Sequence, residues 1–190
     1  MYIEALKQYK PYNEQEANDQ KVILDFVQNG YADILLRENE VAHMTSSSMV
    51  FNKTFDKVLM IHHNIYKTWA WTGGHADGDV DLLQVSIREA KEETGIEEIY
   101  PVTEDIISVD IIPVYGHVKR GKYVSSHLHL NISYALVADE AHALSIKDDE
   151  NSGVMWVDIE NIAKYSNEPY LVDIYEKIIH KTRHYLSSLK

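Results

Sequence analysis

Glu89, Glu92 and Glu93 are spaced i, i+3 and i+4. On a helix, that spacing turns all three carboxylates toward one side. Crowded carboxylates repel, raise one another's proton affinity and cost roughly a few tenths of a kcal/mol per pair on an isolated helix. A hard divalent cation removes the penalty: Mg²⁺ prefers oxygen ligands and keeps waters that a substrate phosphate can displace. Three glutamates alone are equally what a solvated acidic face looks like, so the chemistry turns on what surrounds them.

The residues before them read Gly73-Gly74-His75-Ala76-Asp77-Gly78-Asp79-Val80-Asp81. Asp81 followed three positions later by Gln84 has capping-box character, which predicts a helix beginning just after Asp81. Gly95 predicts a left-handed stop after Thr94. Between them Leu83, Ile87, Ala90 and Thr94 fall on one stripe, expected to meet a sheet.

From Gly74 onward the segment resembles the signature box of the Nudix family. That box is a glycine, five residues, a glutamate, seven residues, then Arg-Glu-aliphatic-x-Glu-Glu-x-Gly-aliphatic. Here Arg88-Glu89-Ala90-Lys91-Glu92-Glu93-Thr94-Gly95-Ile96 stands in register, and the match covers the 23 residues 74–96. The order of elements is also similar to that family's over about 41–163.

The resemblance implies an α/β fold, an α/β/α sandwich around a mixed β-sheet with helices at both ends of the chain. It implies a phosphoanhydride hydrolase (EC 3.6.1-type) acting on a nucleoside diphosphate derivative. Gly74 would offer a backbone carbonyl to the metal, and Glu89, Glu92 and Glu93 would hold one or more Mg²⁺ or Mn²⁺ ions. Arg88 would orient a glutamate through a salt bridge. The family often adds a later glutamate as ligand or base. Glu150, in Asp148-Asp149-Glu150-Asn151, is the candidate, set against a plain acidic turn. One of these four glutamates would accept the proton of the attacking water.

Two positions depart from the pattern. Val80 stands where the family has its first glutamate, a residue associated with support of the helix arginine; Asp79 and Asp81 flank it. Ala90 is smaller than the usual aliphatic. The alternative reading is therefore a catalytically weakened Nudix-like nucleotide-binding module.

Other chemistry-bearing residues carry less. The run from Gly116 to Tyr123 nearly spells a P-loop, but Tyr123 replaces the metal-binding hydroxyl and the following residues are strand-like, so it is rejected. Lys119, Arg120 and Lys122 within it are candidates for contacting substrate phosphates, against an exposed hairpin tip. His127 and His129 share a strand face and His62-His63 precede the box. No third metal ligand is evident in the sequence, so they read as polar-face histidines. Trp69 and Trp71 alternate onto one face, which favours packing, with Tyr66 nearby as a further ring able to stack on a base.

The elements that must position these residues follow from periodicity. A helix is expected over 13–31, capped by Asn13 and stopped by Gly30, with Val22, Ile23, Phe26 and Val27 at helical spacing. Strand-like runs occupy 48–52, 57–62, 68–71, 105–115 and 154–157. The run 127–137 alternates, with Leu128, Leu130, Ile132, Tyr134 and Leu136 on one face. A closing helix over 170–189 carries Leu171, Ile174, Ile178 and Tyr185 on a stripe. We divide the chain into an N-terminal helical extension, 1–40, packed on a domain spanning 41–190 that ends in the C-terminal helix.

Composition sets outer limits. The chain lacks cysteine, which excludes disulfides, thiolate metal sites and cysteine nucleophiles. A net charge of −12 argues against a nucleic-acid polymer as partner, since phosphate neutralisation needs a basic face. A small-molecule nucleotide-type substrate remains open if a cation mediates. With no apolar leader and no run of roughly 20 apolar residues, the expectation is a cytoplasmic protein with no membrane partner. Analogy with the family allows a homodimer.

Overall fold

The computed structural model describes residues 2–29, 33–119 and 121–189. Gly30, Tyr31 and Arg120 lie outside the described residues. The elements are α1 (Tyr2–Gln8), α2 (Glu14–Gln28), β1 (Ala42–Asn52), β2 (Lys57–His63), β3 (Trp69–Ala70), β4 (Thr72–His75), α3 (Leu82–Thr94) and β5 (Ile99–Pro101). They continue with β6 (Ser108–Val114), β7 (His117–Lys119), β8 (Lys122–Val124), β9 (His127–Ala138), β10 (Asn151–Asp158), α4 (Ile162–Tyr165) and α5 (Pro169–Ser188).

The spine of the main sheet is the parallel pair β1 and β9, in unbroken register from Ala42 opposite Leu128 to Asn52 opposite Ala138. Each central strand carries two antiparallel partners end to end along its outer edge. On β1 these are β4, opposite Thr45 to Ser48, and β2, opposite Val50 and Phe51. On β9 they are β6 and β5. β10 and β3 extend β2, making an eight-stranded mixed sheet, while β7 and β8 form a separate hairpin.

The period-2 pattern divides two cores. Leu130, Ile132, Tyr134 and Leu136 of β9 join Met44, Val50 and Leu59 against Leu82 and Ala90 of α3 and the following Ile96. On the opposite face Met49, Phe51, Met60 and Ala135 pack with Trp71 against Ile174, Tyr175 and Ile178 of α5. Full burial of each such side chain contributes roughly 1.5–3 kcal/mol. The result is the expected α/β/α sandwich around a mixed sheet.

β1 starts at Ala42, six residues before the strand expected from sequence. Its first half, His43 to Ser48, is polar apart from Met44, so no hydrophobic alternation marks it. The hydroxyls of Thr45 to Ser48 are buried and satisfied. Thr45 Oγ1 and Ser47 Oγ donate to Asn131 Oδ1 at 2.9 and 2.8 Å, and Ser46 Oγ donates to the Leu82 carbonyl at 2.6 Å. α1 was also invisible to periodicity, being a single short segment that buries Tyr2 and Leu6. No described helix is long and apolar enough to cross a membrane.

Helix α2 starts where Asn13 predicts, its side chain accepting from Glu16 N–H at 2.9 Å, and lies against β6. A buried ion network closes this corner. Lys177 of α5 reaches Asp110 of β6 at 2.5 Å and Glu16 at 3.2 Å, with both carboxylates fully buried. Lys181 meets Glu16 at 3.0 Å, and Tyr12 N–H and Ser108 Oγ donate to the same carboxylate. Burial alone would raise the Glu16 pKa. The Tyr9 hydroxyl, the Tyr12 N–H and the two ammoniums outweigh it and hold the group below its ordinary value.

Removing one partner of such a network leaves buried charge uncompensated. Lys177→Met is therefore expected to cost about 3–5 kcal/mol in urea unfolding. Because the folded pKa of Glu16 is depressed, its contribution is present above the ordinary carboxylate pKa and lost as pH falls through the folded value. The acid limb of wild-type stability should flatten in Glu16→Gln.

Candidate active site

Helix α3 begins and ends where its caps dictate. Asp81 Oδ1 accepts from Gln84 N–H at 3.2 Å, and Gly95 takes the left-handed φ of 76° with its N–H on Lys91 O. The buried face differs slightly from the expected stripe. Leu82, Val85, Ser86, Ala90, Glu93 and Thr94 are buried, whereas Leu83 and Ile87 are half-buried at its margin. The rotation brings Glu93 inward, a polar residue that a hydrophobic count assigns to solvent.

What meets that face is the backbone of β4. A Cβ on Gly74 would stand 2.5 Å from Glu89 Cδ, and one on Gly73 would stand 2.6 Å from Ser47 Oγ. Both glycines are therefore needed for close approach: Gly73 to β1, Gly74 to the Glu89 carboxylate. Gly73 N–H donates to Glu93 Oε2 at 3.0 Å. Glu93 is only 3 % exposed. Its pKa is raised well above the ordinary value by burial, opposed by the Gly73 hydrogen bond and reinforced by Glu89 and Glu150. Burial also raises Glu89.

Glu92 is exposed, yet it converges with the loop before β10. Lys147 Nζ lies 2.8 Å from Glu92 Oε2 and 3.0 Å from Glu150 Oε2. Lys147 was not singled out from sequence. Its ammonium stands in for a cation among Glu92 and Glu150, with Glu89 also within its field. Burial works against the Lys147 charge, but the two carboxylates override it and raise its pKa. The only sequence signal was its i, i+3 relation to Glu150. The oxygen-rich donor set fits a hard divalent cation.

Arg88 Nη1 lies 3.4 Å from Asp79 Oδ2 and Nη2 lies 3.9 Å from Glu89 Oε1. Val80 is 45 % exposed. Asp79 thus supplies an arginine partner that Val80 lacks, while Asp81 serves as the helix cap. Lys119 and Lys122 face each other across the β7–β8 hairpin. Lys119 is half-buried and its charge is felt at His63 and His75, whereas Lys122 is exposed.

Trp71 packs on Tyr175 with ring centroids 5.1 Å apart, as expected of a core residue. Trp69 lies edge-on to His62 at 5.4 Å. His127 and His129 acquire neighbours that sequence did not reveal: His43 from β1 and His75 from β4. Burial lowers the pKa of His75 to about 3 and of His129 to about 2.

A glycine strand and a glutamate helix meeting at the end of a helix-covered mixed sheet define a Nudix domain. The family model described as NUDIX domain matches residues 42–180, and the chain belongs to that family. An uncharacterised Nudix hydrolase of Bacillus subtilis (strain 168), YvcI, is 26% identical over 117 residues, covering 62% of this chain and 68% of the relative.

Among solved structures, a C. elegans Ap4A hydrolase binary complex aligns with a TM-score of 0.54 at 18% identity, over 76% of this chain and 98% of that one. The E. coli dihydroneopterin triphosphate pyrophosphohydrolase gives 0.54 at 14%, over 72% and 94%. The MutT protein from Methanosarcina mazei Go1 gives 0.55 at 17%, over 75% and 96%. At these identities the structural likeness is one of fold. With the family established, the chain is a hydrolase of this class.

Two outcomes follow from the geometry. Gly74→Ala should destabilise the protein by about 1–3 kcal/mol, because the Glu89 carboxylate must yield to the new methyl. Thermal unfolding checks it. A buried acid with a raised folded pKa stabilises below its ordinary pKa, and that contribution is lost as pH rises toward the folded value. Glu93→Gln should therefore raise metal-free stability at pH 8 by about 0.5–2 kcal/mol, measured with chelator in urea melts. An equal or lower stability would show that Glu93 carries no unpaired charge.

Proposed function

We propose that this Nudix hydrolase cleaves a diphosphate linkage in a nucleoside diphosphate derivative, with Mg²⁺ or Mn²⁺. The observation that carries the reading is the Lys147 ammonium shared by Glu92 and Glu150, with the buried acids Glu89 and Glu93 of the same helix within its field. Carboxylates gathered from a helix and a distant loop, two of them with raised pKa values, are costly for stability alone. A site for a divalent ion gives that cost a purpose.

Glu89, Glu92, Glu93 and Glu150 would hold the ion, with the Gly74 carbonyl beside them. When bound, such an ion neutralises a diphosphate and lowers the pKa of a coordinated water. Arg88, tethered to Asp79, orients Glu89 from the solvent side. Lys147, which bridges Glu92 and Glu150, would have to yield these carboxylates to such an ion and would then be available to a phosphate oxygen. Glu89, Glu92, Glu93 and Glu150 are the groups able to accept the water's proton. Of the described hairpin lysines, Lys119 is half-buried and Lys122 exposed, and both are candidates to meet a phosphate.

The substrate class rests on the family and on the fold relatives, one an Ap4A hydrolase and another a dihydroneopterin triphosphate pyrophosphohydrolase. We further propose that residues 1–40 form a helical extension docked on the 41–190 domain through α2 and the Glu16 network.

Product release from a panel of nucleoside diphosphate derivatives, with Mg²⁺ or Mn²⁺, tests the reading. Glu92→Gln and Glu93→Gln should each lower kcat by roughly 10²–10³-fold, and chelation should abolish turnover. Unchanged rates in both variants would remove the assigned site. Metal-dependent binding without turnover of any compound would favour the weakened binding module; Val80→Glu should then restore activity.

A further inference from the structure

We propose that His43, His75 and His129 form a second metal site, selective for a nitrogen-preferring ion such as Zn²⁺ and separate from the carboxylate cluster. One nitrogen from each ring lies within 4.8 Å of the other two. Three points so placed have a common centre no more than about 2.8 Å away. Each ring then needs to shift by about 0.7 Å or less to reach the 2.0–2.1 Å of a zinc–imidazole bond.

The hydrogen bonds aim the lone pairs. His43 Nδ1 lies 2.9 Å from the Asn39 carbonyl. A carbonyl only accepts, so Nδ1 carries the proton and Nε2 is left as a bare lone pair. That Nε2 is buried with no partner, in a residue only 3 % exposed. His127 repeats the device, with Nδ1 2.8 Å from the Ser125 carbonyl and Nε2 3.2 Å from His129 Nε2. A backbone carbonyl on the far ring nitrogen is the arrangement that fixes metal-binding histidines.

The surroundings tolerate the charge. Arg37 and Lys119 are the cations whose fields reach His75; Arg37, which also reaches His43, is already engaged by Asp77, with Nε to Oδ1 at 2.8 Å. The three strands contributing ligands are adjacent: His43 is the register partner of His129, and β4 pairs β1 from Thr45 to Ser48. A bound ion would therefore pin β4, which carries Gly73 and Gly74, to the central strand pair. The donor set is all nitrogen, which disfavours Mg²⁺ and Ca²⁺ and suits Zn²⁺, Ni²⁺ or Co²⁺.

The test is Zn²⁺ titration by calorimetry in a large excess of Mg²⁺, with the visible spectrum of the Co²⁺-loaded protein recorded in parallel. One Zn²⁺ per chain should bind despite the Mg²⁺, and Co²⁺ should show the intense absorption of low-coordinate nitrogen ligation. His75→Ala and His129→Gln should each weaken Zn²⁺ at least about 100-fold, while Glu92→Gln leaves it unchanged. Zn²⁺ that Mg²⁺ displaces, or that Glu92→Gln loses and the histidine variants keep, would overturn the proposal. So would a Co²⁺ spectrum of weak, oxygen-ligated type. That spectrum is read on the unaltered protein, so the proposal stands or falls even if a histidine variant fails to fold.

Discussion

The backbone of β4 is pressed between β1 and helix α3, so that a side chain on Gly73 would meet Ser46 and Ser47 and one on Gly74 would meet Glu89, and the rest of the site is arranged around that approach. With no methyl between them, the Glu89 carboxylate lies along the strand and Gly73 N–H reaches Glu93. The same approach shuts water away from both acids, which is why their proton affinities rise. α3 itself is held by ordinary means: an aspartate cap, a left-handed glycine and a core of Leu82, Val85 and Ala90. Those apolar contacts keep the carboxylates where their mutual repulsion would otherwise drive them apart.

β4 in turn depends on the polar half of β1. Ser46, Ser47 and Ser48 pair with Gly74, Gly73 and Thr72. Their hydroxyls are satisfied by the Leu82 carbonyl, Asn131 and Thr72, respectively. A buried strand of serines and threonines is tolerable only because each hydroxyl has a partner. Small side chains there also leave space for β4 to lie flat against β1. The polar stripe continues into His43, His129 and His127, so one end of the sheet is polar on the face that α5 seals with Trp71, Ile174 and Tyr175 farther along.

Charge is handled in opposite ways at two corners of the molecule. At Glu16, two lysines, a tyrosine hydroxyl and a backbone N–H surround the carboxylate, and its pKa falls. At Glu93 a single backbone N–H faces burial and two like charges, and its pKa climbs. The first corner is complete within the chain and ties α2 and α5 to β6. At the second, Lys147 bridges Glu92 and Glu150, and its field does not offset the burial of Glu89 and Glu93. The first corner is a structural network; the second is where we propose that a cation binds.

Local periodicity and caps were enough to place α2, α3, α5, the alternating face of β9 and the register of Glu89, Glu92 and Glu93, because each is set by residues within a turn or two of one another. The family pattern lay in the same short stretch. Tertiary structure alone decided which groups would meet across the sheet. It brought Lys147 to Glu92, 55 positions apart in sequence, gave Arg88 to Asp79 where Val80 has nothing to offer, and assembled His43, His75 and His129 from three strands. The polar start of β1 was unreadable for the same reason: its strand character rests on partners in β4 and β9 rather than on any pattern of its own. Spacing along a chain specifies a face of a helix or strand; pairing between strands, which joins residues far apart in sequence, specifies a site.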